Sequence, residues 1–334
     1  MPKLRTIALR GYEHIARNLS SRSGSYDLTT KVLYHGFADG ESRMSLPPLE
    51  EPDIGLTELT SMNPDHMTVI AGTHDDRATL DLFDLLFGLR GHGTNSVTLV
   101  VPYFGYARQD KRGADGRDVK KAKSRVDLLA AGLLEYTGVA QVILVDPHVP
   151  NLEDYFPSKI RCKTISLSAI WVQLVQELRR SAPGKIDLST FCIGSVDFGR
   201  TKEHEIVSTK LGVSQLLLQK DRSLDNVTIV EGFGQWTEEM GSLVIIDDMI
   251  STGSSALKAA QYYKSKANGS PRDIYLFATH GIFCADAINT LRSEPAIKGV
   301  VTTDTHPQAL VEQAKHPDFV TVYPIDGFLE SILR

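Results

Sequence analysis

The sequence predicts an α/β protein of two similar halves, each a mainly parallel sheet flanked by helices. Three observations predict it. Short aliphatic runs alternate with amphipathic runs along most of the chain, the pattern of strands and covering helices. At 334 residues, 42% hydrophobic and 23% charged, the chain has the composition and length of about two globular domains. Phe156-Pro157-Ser158 offers a seam near the middle.

In order, strands are expected at 67–71, 97–102, 141–145, 191–194, 215–218, 243–246, 274–278, 299–302 and 320–323. Runs of this kind suit strands covered on both faces, as parallel sheets require. Helices are expected between many of them. Over 80–89 the apolar residues stand at 82, 83, 85, 86 and 89, one helical face, and 126–134 and 170–178 behave similarly. The polar stretches 47–63, 110–123 and 221–241 read as loops or excursions, the second strongly basic.

Composition narrows the function. A net charge of −5 argues against nucleic acid as the main partner. Cys162, Cys192 and Cys284 are too scattered for a disulfide framework or a zinc site, which points to a reducing compartment. The opening MPKLRTIALRGYEHIARNL is too polar for a signal peptide, and no apolar run reaches membrane-spanning length. A soluble, cytoplasmic protein is the expectation.

The most informative stretch is VIIDDMISTGSS at 244–255. Val244, Ile245 and Ile246 have the β-branched character of a buried strand. Asp247 and Asp248 follow where that strand would emerge at its carboxyl end. A turn of Ser, Thr and Gly then leads into helix-forming residues at 255–260, with Ser254 or Ser255 placed to cap them. In an open α/β sheet this is where ligands bind. The turn's backbone N–H groups and the helix N-terminus favour a phosphate. The carboxylates would repel that phosphate, so they suit ribose hydroxyls or a metal ion carried by the substrate. One acid alone would read as a solvated βα turn.

Three further stretches close expected strands. Tyr103 to Arg112 sets Arg108, a planar cation, beside aromatic residues, an arrangement suited to an adenine ring or a polyphosphate. Asp146 and His148 stand two apart after another strand, where a His can ligate a metal or touch a phosphate. Lys220 and Arg222 flank Asp221 after a third, and the two cations point one way if the strand continues. Taken singly, Arg108 reads equally well as a structural arginine on a surface loop, His148 reads better as a structural residue, and Lys220 and Arg222 read better as a solvated charge run.

Together these stretches resemble the ribose-phosphate pyrophosphokinase (phosphoribosyl pyrophosphate synthetase) family over most of the chain. PYFGYARQDK at 102–111 is similar to its nucleotide-loop signature, FADGE at 37–41 to its Phe-x-Asp-Gly-Glu motif, and VDPHVPNLEDYF at 145–156 to its Asp-x-His signature. SVDFG at 195–199, Lys220-Asp221-Arg222, IIDDMISTGSS, ATHGIF at 278–283 and VVTTDT at 300–305 also fit.

The resemblance implies two phosphoribosyltransferase-like domains, 1–157 for ATP and 158–319 for ribose phosphate. A strand and helix at 320–334 could return to the first domain. It implies Mg²⁺-dependent transfer of the β,γ-diphosphate of ATP to the anomeric hydroxyl of ribose 5-phosphate. Lys220 and Arg222 would then be catalytic, and Arg108, Gln109 and His148 would meet ATP. Phe37, Asp39 and Glu41 would close the ATP site of a neighbouring subunit, which implies a homo-oligomer. His148 and Asp197 would hold the metal; Asp247, Asp248, Ser251, Thr252, Gly253, Ser254 and Ser255 would bind the acceptor.

Departures concentrate on the acceptor side. Ser251 replaces the third acid of the family's loop and Ser255 its last Thr. Thr73 to Arg77, THDDR, is unlike the family's usual sequence, and 222–241, with Phe233 and Trp236, differs in composition. Two rivals therefore stand beside ribose 5-phosphate transfer. One is the same chemistry on ADP-ribose, giving an ADP-ribose pyrophosphate for NAD synthesis. The other is a non-catalytic regulatory subunit, which would not need Lys220, Arg222, His148 and both carboxylates. A simple phosphoribosyltransferase would leave PYFGYARQD without a role.

Overall fold

A computed structural model describes residues 4–39, 41–46, 66–107, 129, 137–149, 152–180, 188–196, 200–221, 228–233, 241–266 and 273–333; over 217–221 and 228–233 it describes the backbone alone. Two units result, Met1–Ile165 with Ile325–Arg334, and Ser166–Pro324.

The first unit runs β1 (Arg5–Ala8), α1 (Glu13–Ser23), β2 (Tyr26–Asp27), β3 (Leu33–Gly36), β4 (Ser42–Ser45), β5 (His66–Ile70), α2 (Asp76–Gly91), β6 (Ser96–Val101), β7 (Val139–Val145) and β8 (Arg161–Ile165). Its sheet is parallel throughout, in the order β2-β1-β5-β6-β7-β8, and β3 and β4 form a separate antiparallel hairpin. Val69, Leu99, Val101, Val142 and Leu144 from the sheet share a core with Leu82, Leu85, Leu86 and Leu89, the inward stripe of α2. That helix starts where Asp75 Oδ1 accepts the Ala78 N–H at 2.7 Å, satisfying one otherwise orphaned amide.

The strands not anticipated have reasons. β1 opens with Arg5 and carries only two branched residues, Thr6 and Ile7, although all four positions are buried. β8, RCKTI, is an edge strand with several exposed side chains, so it carries the mixed composition that edges tolerate. Because β8 pairs with β7, the first unit extends to Ile165 rather than stopping at 157.

The second unit contains α3 (Leu167–Arg180), β9 (Phe191–Ser195), α4 (Thr201–Leu211), β10 (Gln215–Asp221), β11 (Thr228–Phe233), β12 (Ser242–Ile250), α5 (Ser254–Lys266), β13 (Ile274–Gly281), α6 (Ala287–Arg292), β14 (Ile297–Thr303), α7 (Pro307–Lys315) and β15 (Val320–Tyr323). Its order is β11-β10-β9-β12-β13-β14-β15, parallel except where β11 runs antiparallel to β10. β11 thus occupies part of the stretch read as a loop at 221–241. Trp171 of α3, fully buried, lies 5.1 Å from the Phe277 ring of β13, a contact worth about 0.5–1.5 kcal/mol beyond area burial.

The chain's last helix, α8 (Asp326–Leu333), belongs to the first unit, while β15 stays in the second unit's sheet. The Arg22 Nε of α1 lies 2.6 Å from the fully buried Asp326 Oδ2, and an ion pair so placed cannot lose one partner cheaply. The stretches 47–63 and 110–123 and most of 126–134 lie outside the described residues.

Within the first unit, the loops after β5 and β6 meet closely at Gly105 of the PYFGY stretch. Its N–H donates to Thr73 Oγ1 at 2.8 Å, and a Cβ there would fall 1.9 Å from the Thr73 carbonyl oxygen. Gly105→Ala is therefore expected to destabilise by about 1–3 kcal/mol, read as a lower urea midpoint. An unchanged midpoint would mean that the two loops part freely.

Candidate functional site

The second unit's sheet opens beside the acid pair. β12 pairs with β13 all the way to Ile250, but with β9 only to Ile246, opposite Ser195. Asp247 and Asp248 thus lie on a strand still held on one side and released on the other. The chain leaves β9 toward β10 on one flank and returns to β12 on the other, which makes this gap the sheet's topological switch point. The strand continues through both acids to Ile250, four residues beyond the expected end at 246. Its neighbour β13 explains this, since that strand runs on to Gly281.

Asp247 is half-buried and its Oδ1 accepts the Asp248 N–H at 2.9 Å. Asp248 is buried, with Oδ2 3.5 Å from Arg200 Nη2 of the loop that enters α4. Sequence reasoning passed over Arg200. The only signal was its position five residues beyond the end of β9, and nothing in the local pattern marks it as the partner of an acid 48 residues away (248 − 200). One carboxylate is thereby charge-compensated inside the crevice, leaving Asp247 as the more open acceptor of hydroxyl hydrogen bonds.

The turn after β12 is held from outside itself. The Ile250 carbonyl accepts N–H bonds from Ile282 and Phe283, both at 3.0 Å, and the Ser251 carbonyl accepts from Cys284 at 2.9 Å. Phe283 and Ala285 sit at φ +45° and +52°, a region that costs a non-glycine residue energy and persists when the surroundings demand it. Gly253 has φ +78°, and a Cβ there would come 3.0 Å from Leu291 Cγ of α6. A side chain there would be strained and would push on Leu291.

Helix α5 begins at Ser254 itself, so neither Ser254 nor Ser255 is the cap. The first amide, Ser254 N–H, points instead to Thr252 Oγ1 at a long 3.5 Å, and the Thr252 and Ser254 hydroxyls are 3.1 Å apart. Thr252, Ser254 and Ser255 are exposed, whereas Ser251 is half-buried and its hydroxyl faces Cys284 Sγ at 3.5 Å. The far end of α5 is anchored by Tyr263, whose buried hydroxyl accepts the Ser195 N–H at 3.1 Å and reaches the Leu216 carbonyl at 3.0 Å. Burial pushes that phenol's pKa up. Tyr263 therefore fixes the helix, and with it the turn, against the ends of β9 and β10.

ATHGIF and VVTTDT meet beside this turn. His280 Nδ1 lies 2.8 Å from Thr305 Oγ1, and the Thr303 and Thr305 hydroxyls donate to the Thr279 carbonyl at 2.7 and 2.9 Å, all of these residues being buried. This hydroxyl–imidazole cluster braces the end of β13, on which the extension of β12 depends.

The other expected site residues are distributed as follows. Phe37, Asp39 and Glu41 ride on the turn of the β3–β4 hairpin, where the Phe37 N–H donates to the Glu41 carbonyl at 2.9 Å and Asp39 Oδ1 accepts the Glu41 N–H at 3.1 Å. Phe37 is 53% exposed, much like Leu33 of the same hairpin at 47%. His148 is exposed on the loop after β7, following Asp146 at φ +40°. Lys220 lies on β10 at a register shift against β11, with only its backbone described. Arg108, Gln109, Asp197, Arg222 and Trp236 lie outside the described residues.

A parallel sheet opening at its switch point beside an acid pair, followed by a glycine-bearing turn into a helix, places the chain among open-sheet α/β proteins, whose ligands bind at such a crevice. Comparison with known proteins gives that class a family. Residues 7–132 match the model of the N-terminal domain of ribose phosphate pyrophosphokinase, and residues 218–325 match that of the phosphoribosyl synthetase-associated domain. A ribose-phosphate pyrophosphokinase of Haemophilus ducreyi is 26% identical over 337 aligned residues, covering 100% of this chain and 96% of the relative. One from Thermotoga maritima is 29% identical over 257 residues, covering 76% and 74%. The crystal structure of phosphoribosylpyrophosphate synthetase from Mycobacterium smegmatis superposes with a TM-score of 0.75 at 19% identity, covering 99% of this chain and 98% of that one. The chain belongs to the ribose-phosphate pyrophosphokinase family of enzymes.

Proposed function

We propose that the protein transfers the β,γ-diphosphate of ATP to the anomeric C1 hydroxyl of ribose 5-phosphate, giving phosphoribosyl pyrophosphate and AMP. The observation that carries this reading is the released edge of β12, where Asp247 and Asp248 precede a glycine turn and a helix N-terminus. Carboxylates for the ribose diol and amides for the 5-phosphate stand in the order that a sugar phosphate presents them. The names of the relatives supply the acceptor, a ribose phosphate, and the group transferred, a pyrophosphate.

On this reading Asp247 and Asp248 hold the 2- and 3-hydroxyls, directly or through Mg²⁺, and Ser251, Thr252, Gly253, Ser254 and Ser255 cradle the 5-phosphate. Arg108, Gln109 and His148 hold ATP, and His148 and Asp197 meet its metal. Lys220 and Arg222 stabilise charge on the diphosphoryl group in transfer, a reaction that needs positioning and neutralisation more than covalent chemistry. The acid pair at an open strand edge is a hard oxygen donor set, which fits Mg²⁺ shared with substrate phosphates. When bound, the ion would neutralise charge between the donor and acceptor oxygens.

One observation favours a second acceptor, ADP-ribose. Thr252, Ser254 and Ser255 are exposed, and Ser251 stands where the family has an acid, so the phosphate cradle has an open side for an esterified phosphate. Competition between the two acceptors decides, with AMP and the diphosphate product read by mass spectrometry. A kcat/KM for ribose 5-phosphate at least about tenfold above that for ADP-ribose, or 1.4 kcal/mol, is expected and removes the second acceptor. The inverse ratio replaces the first reading. A chain that releases AMP with neither would fit a regulatory subunit.

The similarity of Phe37, Asp39 and Glu41 to the family's Phe-x-Asp-Gly-Glu motif supports a homo-oligomer whose ATP site needs residues of two copies. Mixing inactive Lys220→Ala and Asp39→Ala chains is expected to restore part of the activity after subunit exchange. A fully active monomer in light scattering would sink this.

A further inference from the structure

The second unit's sheet forks at β10. That strand pairs with β9 only where Gln215 faces Ile193 and Leu216 faces Gly194, and from Leu217 to Asp221 it pairs with β11 instead. Lys220 lies on the arm beyond the fork, where the register against β11 shifts. The side chain that stands in the fork comes from another element. It is Tyr263 of α5.

The Tyr263 hydroxyl touches both strands where they part. It accepts the Ser195 N–H at 3.1 Å, and the Ser195 and Leu216 carbonyls lie 3.1 and 3.0 Å from it. A phenol has one proton, so it donates to one of these carbonyls at a time. Ser195, Leu216 and Tyr263 are all buried, and main-chain groups buried at the end of a ladder need partners. One hydroxyl serves both strands. Burial pushes its pKa up, so the proton stays. A glycine makes room for the ring, since a Cβ on Gly194 would fall 3.1 Å from Tyr263 Cε2 and 3.2 Å from Cζ.

We infer that Tyr263 is a positioning residue for the transfer step, which fixes the point where β10 leaves β9 and so sets the direction of the arm bearing Lys220. The inference rests on the proposed function, in which Lys220 meets the group in transfer. Tyr263 is nine residues along α5 from Ser254 (263 − 254), about 14 Å at 1.5 Å per residue, too far to touch a phosphate at the helix start. It acts instead through Leu216, four residues before Lys220 on the same strand (220 − 216). One helix thus presents its N-terminus to the acceptor and its buried phenol to the strand of the lysine. In-line transfer tolerates little displacement, and an error of about 1 Å can cost some 10²-fold in rate.

Tyr263→Phe keeps the ring and removes the hydroxyl. In the full chain, well below its melting temperature and per folded molecule, kcat is expected to fall about tenfold or more. The KM for ribose 5-phosphate should stay within about twofold, because the turn at the other end of α5 is untouched; a role confined to stability moves neither constant. Hydrogen–deuterium exchange without substrate should quicken over 215–221 and stay unchanged over 251–257. Gly194→Ala, which presses on the same ring from β9, should give the same fall in kcat at constant KM, and it serves as the test if Tyr263→Phe does not fold. A kcat within about twofold of the unaltered protein, a loss explained by KM, or unchanged exchange over 215–221 overturns the inference. The reaction itself is read separately, in AMP release by the unaltered chain. If that fails, exchange over 215–221 still decides whether Tyr263 holds the arm.

Discussion

Lys220→Ala is expected to lower turnover by at least about two orders of magnitude, while ATP binding stays close to that of the unaltered protein. Lys220 lies on β10, where the pairing with β11 slips by a residue, and such irregularities re-aim side chains near active sites. Its neighbour beyond Asp221 is Arg222. In diphosphoryl transfer the charge on the migrating group is redistributed as the bond to the leaving phosphate breaks. A cation that meets it only then contributes to kcat and little to ground-state binding. Losing one such donor costs about 3–4 kcal/mol, equivalent to some 10²–10³ in rate. The measurement is turnover with AMP release, alongside ATP affinity by calorimetry. Near-normal turnover would take Lys220 out of the catalytic role. A parallel loss of ATP affinity would make it a binding residue instead.

The acid pair should divide into two behaviours. Asp247→Asn is expected to weaken acceptor binding and activity about 10–100-fold with little change in melting temperature, since a hydrogen bond to a charged group is worth ~1.5–3 kcal/mol. Asn keeps the size of a half-buried side chain whose Oδ1 bonds the next amide. Asp248→Asn should cost stability as well, because the Arg200 side chain, only 15% exposed, would keep its charge without the carboxylate 3.5 Å away. Read from the sequence alone, both carboxylates stand at an exposed strand end, and that view fails for Asp248. Thermal melts of the single variants with acceptor kinetics distinguish the cases. If Asp247→Asn melts as early as Asp248→Asn, and activity only follows the folded fraction, the acids are structural.

Much of this protein is legible in its residues. The nine expected strands all occur, with ends displaced by a few residues, because a strand covered on both faces must be apolar throughout and the chain has few other reasons for such runs. The leucine stripe of α2 is equally explicit, since its period is that of a helix packed on one side. Asp247, Asp248 and Gly253 could be picked out because two acids at a strand end followed by a small-residue turn has few structural explanations. The strands that escaped notice, β1, β2, β3, β4, β8 and β11, are short, charged, at sheet edges or in hairpins. In such places pairing comes from a neighbour and not from composition.

The sequence by itself determined the alternation of elements, the parallel class of the sheets and the acid pair and small-residue turn after β12. Each depends on local periodicity, or on side-chain types placed side by side in the chain. Tertiary structure alone decided which strand stops first. β9 ends at Ser195 while β13 runs on to Gly281, and that difference in length opens the sheet beside the acids. It also decided that Arg200 would compensate Asp248, that Tyr263 would tie α5 to two strand ends, and that α8 would return to α1 through Arg22 and Asp326. These partners are tens to hundreds of residues apart, and no local pattern encodes a pairing across such a distance. Packing selects it, because a buried charge or hydroxyl must find whichever partner the folded sheet brings within reach.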